Sequence, residues 1–436
     1  MNLVDDIVGI IFEKLQISDA KNLSSTSAHY RNMFFELAHT KFTSNYYSNI
    51  DNVLFCSKFL HIRVMSGFCG EFGLCPFTSC RSLYLNEQFD EPIELPDTLK
   101  LIVFGDNYNQ LTTFPPSMKN IRFGMYYDQP TTFPPFVTHI RFGSDYCQSI
   151  ILPDSVIFLK FGTYYRKSLT LPNSIKCLKF GKNYNKPTFL PDSIIRLKFR
   201  GCYNQITNLP TSIEHLTFGW GYNQRTILPN NIKYLRFGRE FNQEIIIPDS
   251  IISLRFGEEY DQPTILPNRI KNLILGDFFD HKIIIPESII DLAIGNSYNQ
   301  PIILPNSIKS LQLGDDFNQE IIIPESITIL WFGDEYNQRT VLPNSIRAVF
   351  FGKKFNQKII IPELIESLRF DYSSKYDHIT ILPDNIKHVV FGNNYDRPTV
   401  IPVSVRNFSV GHHVVIDKDQ YADFPKFYKN FTILVE

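Results

Sequence analysis

The stretch FNQEIIIPDSIISLRFG, residues 241–257, is preceded nineteen residues earlier by YNQRTILPNNIKYLRFG (222–238). Nineteen residues later comes YDQPTILPNRIKNLILG (260–276). The same spacing carries the strand-ending apolar residue from Phe104 to Phe370, where a two-residue insertion moves the next one to Phe391. A proline recurs with it, seventeen in register from Pro96 to Pro402. A fixed period of this kind marks a stack of similar units rather than one ordinary core.

Within the quoted stretch Leu254, Arg255 and Phe256 alternate apolar, polar, apolar, which predicts a short strand with one buried face. Gly257 ends the strand, and a positive φ at a tight exit is the expected reason for a glycine there. Phe241, like Tyr222 and Tyr260 beside it, supplies a large inward plug. Asn or Asp follows this aromatic in fifteen of seventeen units, Cys147 and Arg166 being the exceptions, and can bond backbone that has no ladder of its own. Pro248-Asp249-Ser250 then makes a turn, and Ile251 re-enters the core. Nineteen residues cannot bury their own apolar side, so the units stack and their strands lie side by side, about 4.8 Å apart. So short a coil leaves little room for a helix opposite the strand, where extended or turn structure is expected. The expected fold class is a leucine-rich-repeat-like solenoid of parallel β-structure, with an ungrooved parallel β-helix as the alternative and a small α-helical domain ahead of it.

Composition narrows the function. Hydrophobic residues at 43% and charged residues at 20% describe a foldable, soluble chain, and 43 basic against 44 acidic residues predict no bulk attraction to nucleic acid or membrane. Seven cysteines, an odd number in a long chain, do not make a disulfide framework and suit a reducing compartment. The opening MNLVDDIVGIIFEKL has two aspartates before a short apolar run and is no secretory signal. No apolar run is long enough to span a bilayer. An intracellular location, cytoplasmic or nuclear, is expected.

The units resemble FNIP repeats, whose Phe-Asn…Ile-Pro signature stands here as FNQEIIIP at 241–248 and again at 317–324. The resemblance covers residue 85 to about residue 411. It implies leucine-rich-repeat-like folding and a source among social amoebae and giant viruses of amoebae, the host cell then being the place of action. Residues 3–34 read as short helices, with Ile7, Ile11 and Leu15 on one face and Ile10 and Phe12 widening it. This segment resembles an F-box at Leu3, Ile7, Val8, Ile11, Phe12, Leu15 and Leu23, with Val4 in place of the usual Pro and Tyr30 in place of the usual Trp. The resemblance implies docking to a Skp-type adaptor of a cullin–RING ubiquitin ligase, the rest of the chain choosing a protein substrate. The alternatives are a helical cap on the solenoid and a protein-interaction scaffold independent of ubiquitin. The expected domains are 1–40 (F-box-like), 41–82 (linker and N-terminal cap), 83–411 (about seventeen repeats) and 412–436 (C-terminal cap).

The residue between the two inward positions of each strand points out. That column reads Val103, Arg122, Arg141, Lys160, Lys179, Lys198, Thr217, Arg236, Arg255, then Ile274, Ala293, Gln312, Trp331, Phe350. A basic ladder thus gives way to an apolar stripe, and acids gather after the glycines from Glu258 onward. One reading is a solvated face that keeps the sheet soluble. The other is a substrate groove: Arg122, Arg141, Lys160, Lys179, Lys198, Arg236 and Arg255 take an acidic or phosphorylated segment while Trp331 and Phe350 anchor an apolar side chain. RNA is not expected, because no aromatic interleaves the basic column. Cys56, Cys69, Cys75 and Cys80 near His61 lack the spacing of a zinc knuckle, and the mixed Asn, Asp, Gln and Lys of the repeats give too few carboxylates for a calcium ladder. No catalytic motif, metal site or cofactor site emerges, so an enzyme is not expected.

Overall fold

The computed structural model describes residues 61–64, 80–411, 413–417 and 431–433. The F-box-like segment, the tail 418–430 and His412 lie outside the described residues. The chain forms two compact units, Met1–Tyr203 and Asn204–Glu436. Among the described residues every regular element is a strand, and none is a helix long and apolar enough to cross a membrane.

In the first unit β1 (His61–Val64), β2 (Ser82–Leu85), β3 (Leu101–Val103), β4 (Asn120–Arg122), β5 (His139–Arg141), β6 (Phe158–Lys160), β7 (Cys177–Lys179) and β8 (Arg196–Lys198) follow in order. Each pairs in parallel with the next. The second unit begins with β9 (His215–Thr217), β10 (Tyr234–Arg236), β11 (Ser253–Arg255), β12 (Asn272–Ile274), β13 (Asp291–Ala293) and β14 (Ser310–Gln312). It continues with β15 (Ile329–Trp331), β16 (Ala348–Phe351), β17 (Ser367–Phe370), β18 (His388–Phe391), β19 (Thr399–Ile401), β20 (Asn407–Val410), β21 (His413–Asp417) and β22 (Phe431–Ile433). Here β9 to β18 pair in parallel and in sequence, and β18 pairs with β20. β21 turns back antiparallel on β20, while β22 lies parallel to β19 on the back of the last coil. The fold is a leucine-rich-repeat-like parallel β-solenoid of about 17 coils. The sheet already includes β1, inside the stretch 41–82 expected as linker and N-terminal cap.

Register is fixed by what each coil hands to the next. Leu235, Leu254 and Leu273 pair across three strands, so every central side chain falls on the same inward line. Leu254 and Phe256 are buried and Arg255 is exposed. Behind the strands the aromatics form columns: Tyr108, Tyr127, Tyr146, Tyr165, Tyr184 and Tyr203 are all fully buried and stacked. Neighbouring tyrosine rings of that column stand 6.2–6.3 Å apart. Their phenylalanine neighbours, nearer the strands, are 5.1–6.1 Å apart. In the second unit the corresponding ranges are 5.9–6.3 Å and 5.1–5.7 Å. Within each unit the coils therefore open like a fan away from the strands, and the sheet lies on the inside of the bend.

Each conserved letter of the repeat has a bond to make. Asn223 Oδ1 accepts from the Asn242 N–H at 3.0 Å and from Gln243 Nε2 at 3.0 Å, and Asn242 passes the same pair of bonds to Asp261 and Gln262. Ser250 Oγ donates to the Ile232 carbonyl at 2.7 Å, pinning the proline turn to the coil before it. Thr264 Oγ1 donates to the Gln262 carbonyl, so the hydrogen bond it shares with Tyr260 at 2.7 Å is donated by the phenol. The glycines need a different explanation from the positive φ expected of them. Among the described residues only Gly201 and Gly411 have it, at 53° and 60°. At Gly257 a Cβ would stand 1.7 Å from the Gly238 carbonyl oxygen, and at Gly143 it would stand 1.6 Å from that of Gly124. Close approach of successive coils, not backbone handedness, excludes a side chain there.

The back of the coil is extended. In "EIII" Ile245 is half-buried and Ile247 buried, while Ile246 between them points out. The same outward place holds Ile265, Ile284, Ile303 and Ile322, each 89–91% exposed.

Candidate functional site: a basic groove on the strand face of the first unit

The outward residue of each strand lands where alternation puts it. Arg122, Arg141, Lys160 and Lys179 follow one another in register on β4 to β7, and Lys198 follows on β8. In the second unit Arg236 and Arg255 are paired partners on β10 and β11, and Trp331 and Phe350 are partners on β15 and β16. The structure thus brings Arg122 to Lys198 together in one unit and the apolar stripe together in the other.

On the first unit Arg122, Arg141 and Lys160 border a groove of about 640 Å³, which Lys179 and Lys198 do not line. Its floor is made by Gly105, Gly124, Gly143, Gly162 and Gly181, and its walls by Arg122, Arg141, Lys160, Lys182 and Arg200, with Glu87 and Asp106 at one end. Lys160 sits among the cations. Partial burial lowers its pKa from the ordinary lysine value, and the positive charges of Arg200, Arg141, Arg122 and Lys179 lower it further. Ion pairs recur instead along residues 204–436. There Arg239 meets Glu258 at 3.1 Å and Glu259 at 3.6 Å, and Lys353 and Lys354 meet Asp334 and Glu335.

Two groups in this groove region escaped the sequence reading. Phe158 on β6 lies on the same face as the cations, with Arg141 over its ring at 4.9 Å and Lys179 at 5.6 Å. His139 stacks on it at 5.7 Å and 15°, and burial with Arg141 nearby lowers the imidazole's pKa. An aromatic does therefore interleave the basic column, contrary to expectation. It comes from the column two residues earlier along each strand, which points out by the same alternation. The second is Arg200, which stands where neighbouring coils have glycine. The break in the Phe-Gly pattern at Phe199-Arg200 was the available signal.

The remaining candidates do not assemble a site. Cys80 is buried, its thiol donating to the Ser82 carbonyl at 3.1 Å, and burial pushes its pKa up to about 11. Cys56, Cys69 and Cys75 lie outside the described residues. Among the described residues no three His, Cys, Asp or Glu side chains converge as metal ligands. Leu3, Ile7, Val8, Ile11, Phe12, Leu15 and Leu23 also lie outside them.

The comparisons with known proteins agree with this architecture. A protein described as CroV588, a novel circular LRR protein structure, is 31% identical and superposes with a TM-score of 0.65 over 83% of this chain. This chain spans 64% of that protein's length. YopM from Yersinia enterocolitica WA-314 is 19% identical, with a TM-score of 0.51 over 76% of this chain and 85% of its own, a likeness of fold. Curated proteins gave no sequence match. The model of the FNIP Repeat matches residues 89–126, 127–164, 166–202, 222–259, 260–297, 298–323 and 317–354. These matches take in more than half of the residues, and the chain belongs to the FNIP repeat family.

Proposed function

We propose that this protein is a non-catalytic recognition scaffold whose first unit holds an acidic stretch of a partner protein along its basic groove. The observation that carries the reading is the run Arg122, Arg141, Lys160, Lys179 on successive strands, with Arg122, Arg141 and Lys160 lining one groove. Carboxylates of an extended segment lying across the strands meet one cation per rung, through charge-assisted hydrogen bonds. In the second unit Trp331 and Phe350 offer an apolar anchor point on the strand face. Phe158 does not turn the groove into a single-strand nucleic-acid platform, because its ring carries Arg141, Lys179 and His139.

Residues 1–40 give the scaffold its purpose in this reading. Their F-box-like pattern ties it to a Skp-type adaptor and a cullin–RING ubiquitin ligase inside the cell, and the groove selects what is modified. Co-purification of the full chain with a Skp-type adaptor is the test, with Ile11→Asp/Phe12→Asp as the matched control. Adaptor capture that the double substitution removes supports the ligase role. A parent chain that captures no adaptor leaves a scaffold independent of ubiquitin. Arg141→Glu/Lys160→Glu/Lys179→Glu tests the groove: a folded variant that still captures the same acidic partners overturns its assignment.

A further inference from the structure

Arg200 is a departure that the repeat does not explain. Around it the residue after the strand's last phenylalanine is Gly124, Gly143, Gly162 or Gly181, and each lies on the groove floor. After Phe199 the chain instead places an exposed arginine, which lines the groove beside Gly181 and Lys182. One guanidinium thus enters from the strand exits while Arg122, Arg141 and Lys160 enter from the strands. These positive charges are close enough to act on one another at Lys160. Gathering like charges with acids, Glu87 and Asp106, at one end only costs stability, and an anion seated among the cations offsets that cost. Ser144 and Thr163 line the same groove.

Charge alone would suit any polyanion, and Phe158 decides between them. A single-strand nucleic-acid groove needs a succession of open aromatic faces for its bases, and among the described residues lining this groove the exposed aromatic is Tyr84 alone, at the end that carries Glu87. The Phe158 ring is occupied by Arg141 at 4.9 Å, Lys179 at 5.6 Å and the stacked ring of His139. It therefore acts as a brace that holds two cations in place rather than as a platform. Guanidinium forks held in this way match the oxygens of a phosphoryl group, which offers more charge and more acceptors than a carboxylate.

We propose that the groove of the first unit is a phosphoryl-binding site, taking a phosphorylated side chain on an extended segment of a partner protein. Arg141, Lys160 and Arg200 grip the phosphoryl oxygens, and Arg122 and Lys179 meet flanking acids. The proposal rests on the groove being a protein-recognition surface and adds the dianion to it.

The full chain is to be titrated with three degenerate peptide libraries. One carries a central mixture of phosphoserine, phosphothreonine and phosphotyrosine, the second glutamate, and the third the unmodified residues; a single-stranded oligonucleotide of similar charge completes the set. Fluorescence anisotropy is expected to give about tenfold tighter binding of the phosphorylated library than of the glutamate library. Arg200→Gly restores the residue the repeat carries at this place, so it should leave thermal unfolding unchanged while removing most of that preference. Equal binding of the phosphorylated and glutamate libraries, both lost in Arg141→Glu, overturns the phosphoryl site and leaves the acidic-segment reading standing. No binding to any library overturns both. An oligonucleotide bound more tightly than the phosphorylated library overturns the proposal in favour of nucleic acid, as does a preference that Arg200→Gly leaves intact in favour of a site elsewhere.

Discussion

In the first unit Arg141 has a phenyl ring 4.9 Å away; in the second, Arg239 has Glu258 at 3.1 Å and Glu259 at 3.6 Å. Both units are built from the same coil, with the same inward leucine, the same stacked aromatics and the same hydroxyl-pinned turn. What differs is how the charges on the surface are arranged. Exposed pairs such as Lys354 with Glu335 satisfy themselves and add little stability. In the first unit Arg122, Arg141, Lys160 and Arg200 gather along one groove instead. The skeleton is common property, and the decoration of each unit is its own.

Alkali should break both units together, because the buried phenols are part of the skeleton. Burial pushes Tyr108 in the first unit, and Tyr260 and Tyr376 in the second, up to about 12 from an ordinary 10.0. Above pH 10 the unfolded chain therefore releases protons that the folded chain keeps. Stability falls as pH rises towards 12, and below 10 these groups exert no such pull. Circular dichroism and tyrosinate absorbance should change in one step in that window; phenols that titrate at ordinary pH with the fold intact would contradict the shared core. Next in size are Gly143→Ala and Gly257→Ala, whose Cβ atoms would meet carbonyl oxygens at 1.6 and 1.7 Å. Each should cost about 3 kcal/mol in urea unfolding, and a cost in one unit alone would show that the glycines differ in role.

Surface changes should instead separate the units. Arg141→Glu/Lys160→Glu/Lys179→Glu is expected to weaken capture of an acidic peptide by about a hundredfold, close to 2.7 kcal/mol. Arg239→Glu/Lys353→Glu/Lys354→Glu in the second unit should leave it unchanged, and anisotropy reads both. Smaller again is the asparagine hand-over. Asn242→Ala leaves the Asp261 N–H and Gln262 without their acceptor and should cost about 1–2 kcal/mol. Cys147→Asn should repay about 1 kcal/mol by supplying an acceptor where the first unit's ladder stops. Smallest is Lys354→Ala, for which the urea midpoint should not move.

Much of this was legible in the letters, and the limits have physical reasons. Proline spacing and the Leu254-Arg255-Phe256 alternation give the coil, its register and the outward column, because a parallel stack repeats one local solution. The glycine was read for the wrong property: how closely Gly238 and Gly257 approach depends on two coils at once, and no single unit reveals it. Phe158 was missed because only one of the two outward positions of each three-residue strand was followed. Arg200 was visible as a broken Phe-Gly pair, but its place in the groove depends on coils nineteen and thirty-eight residues earlier.

The bond from Asn223 to Asn242 is the same bond as that from Asn242 to Asp261, with donor and acceptor types unchanged. A coil therefore presents to its successor what its predecessor presented to it. Wherever Asn or Asp fills this place in neighbouring coils, excising one period, or copying it, restores the hand-over at the seam. Length in this protein is counted in whole coils, and the number of rungs facing a partner can change by gene duplication without a new fold being invented.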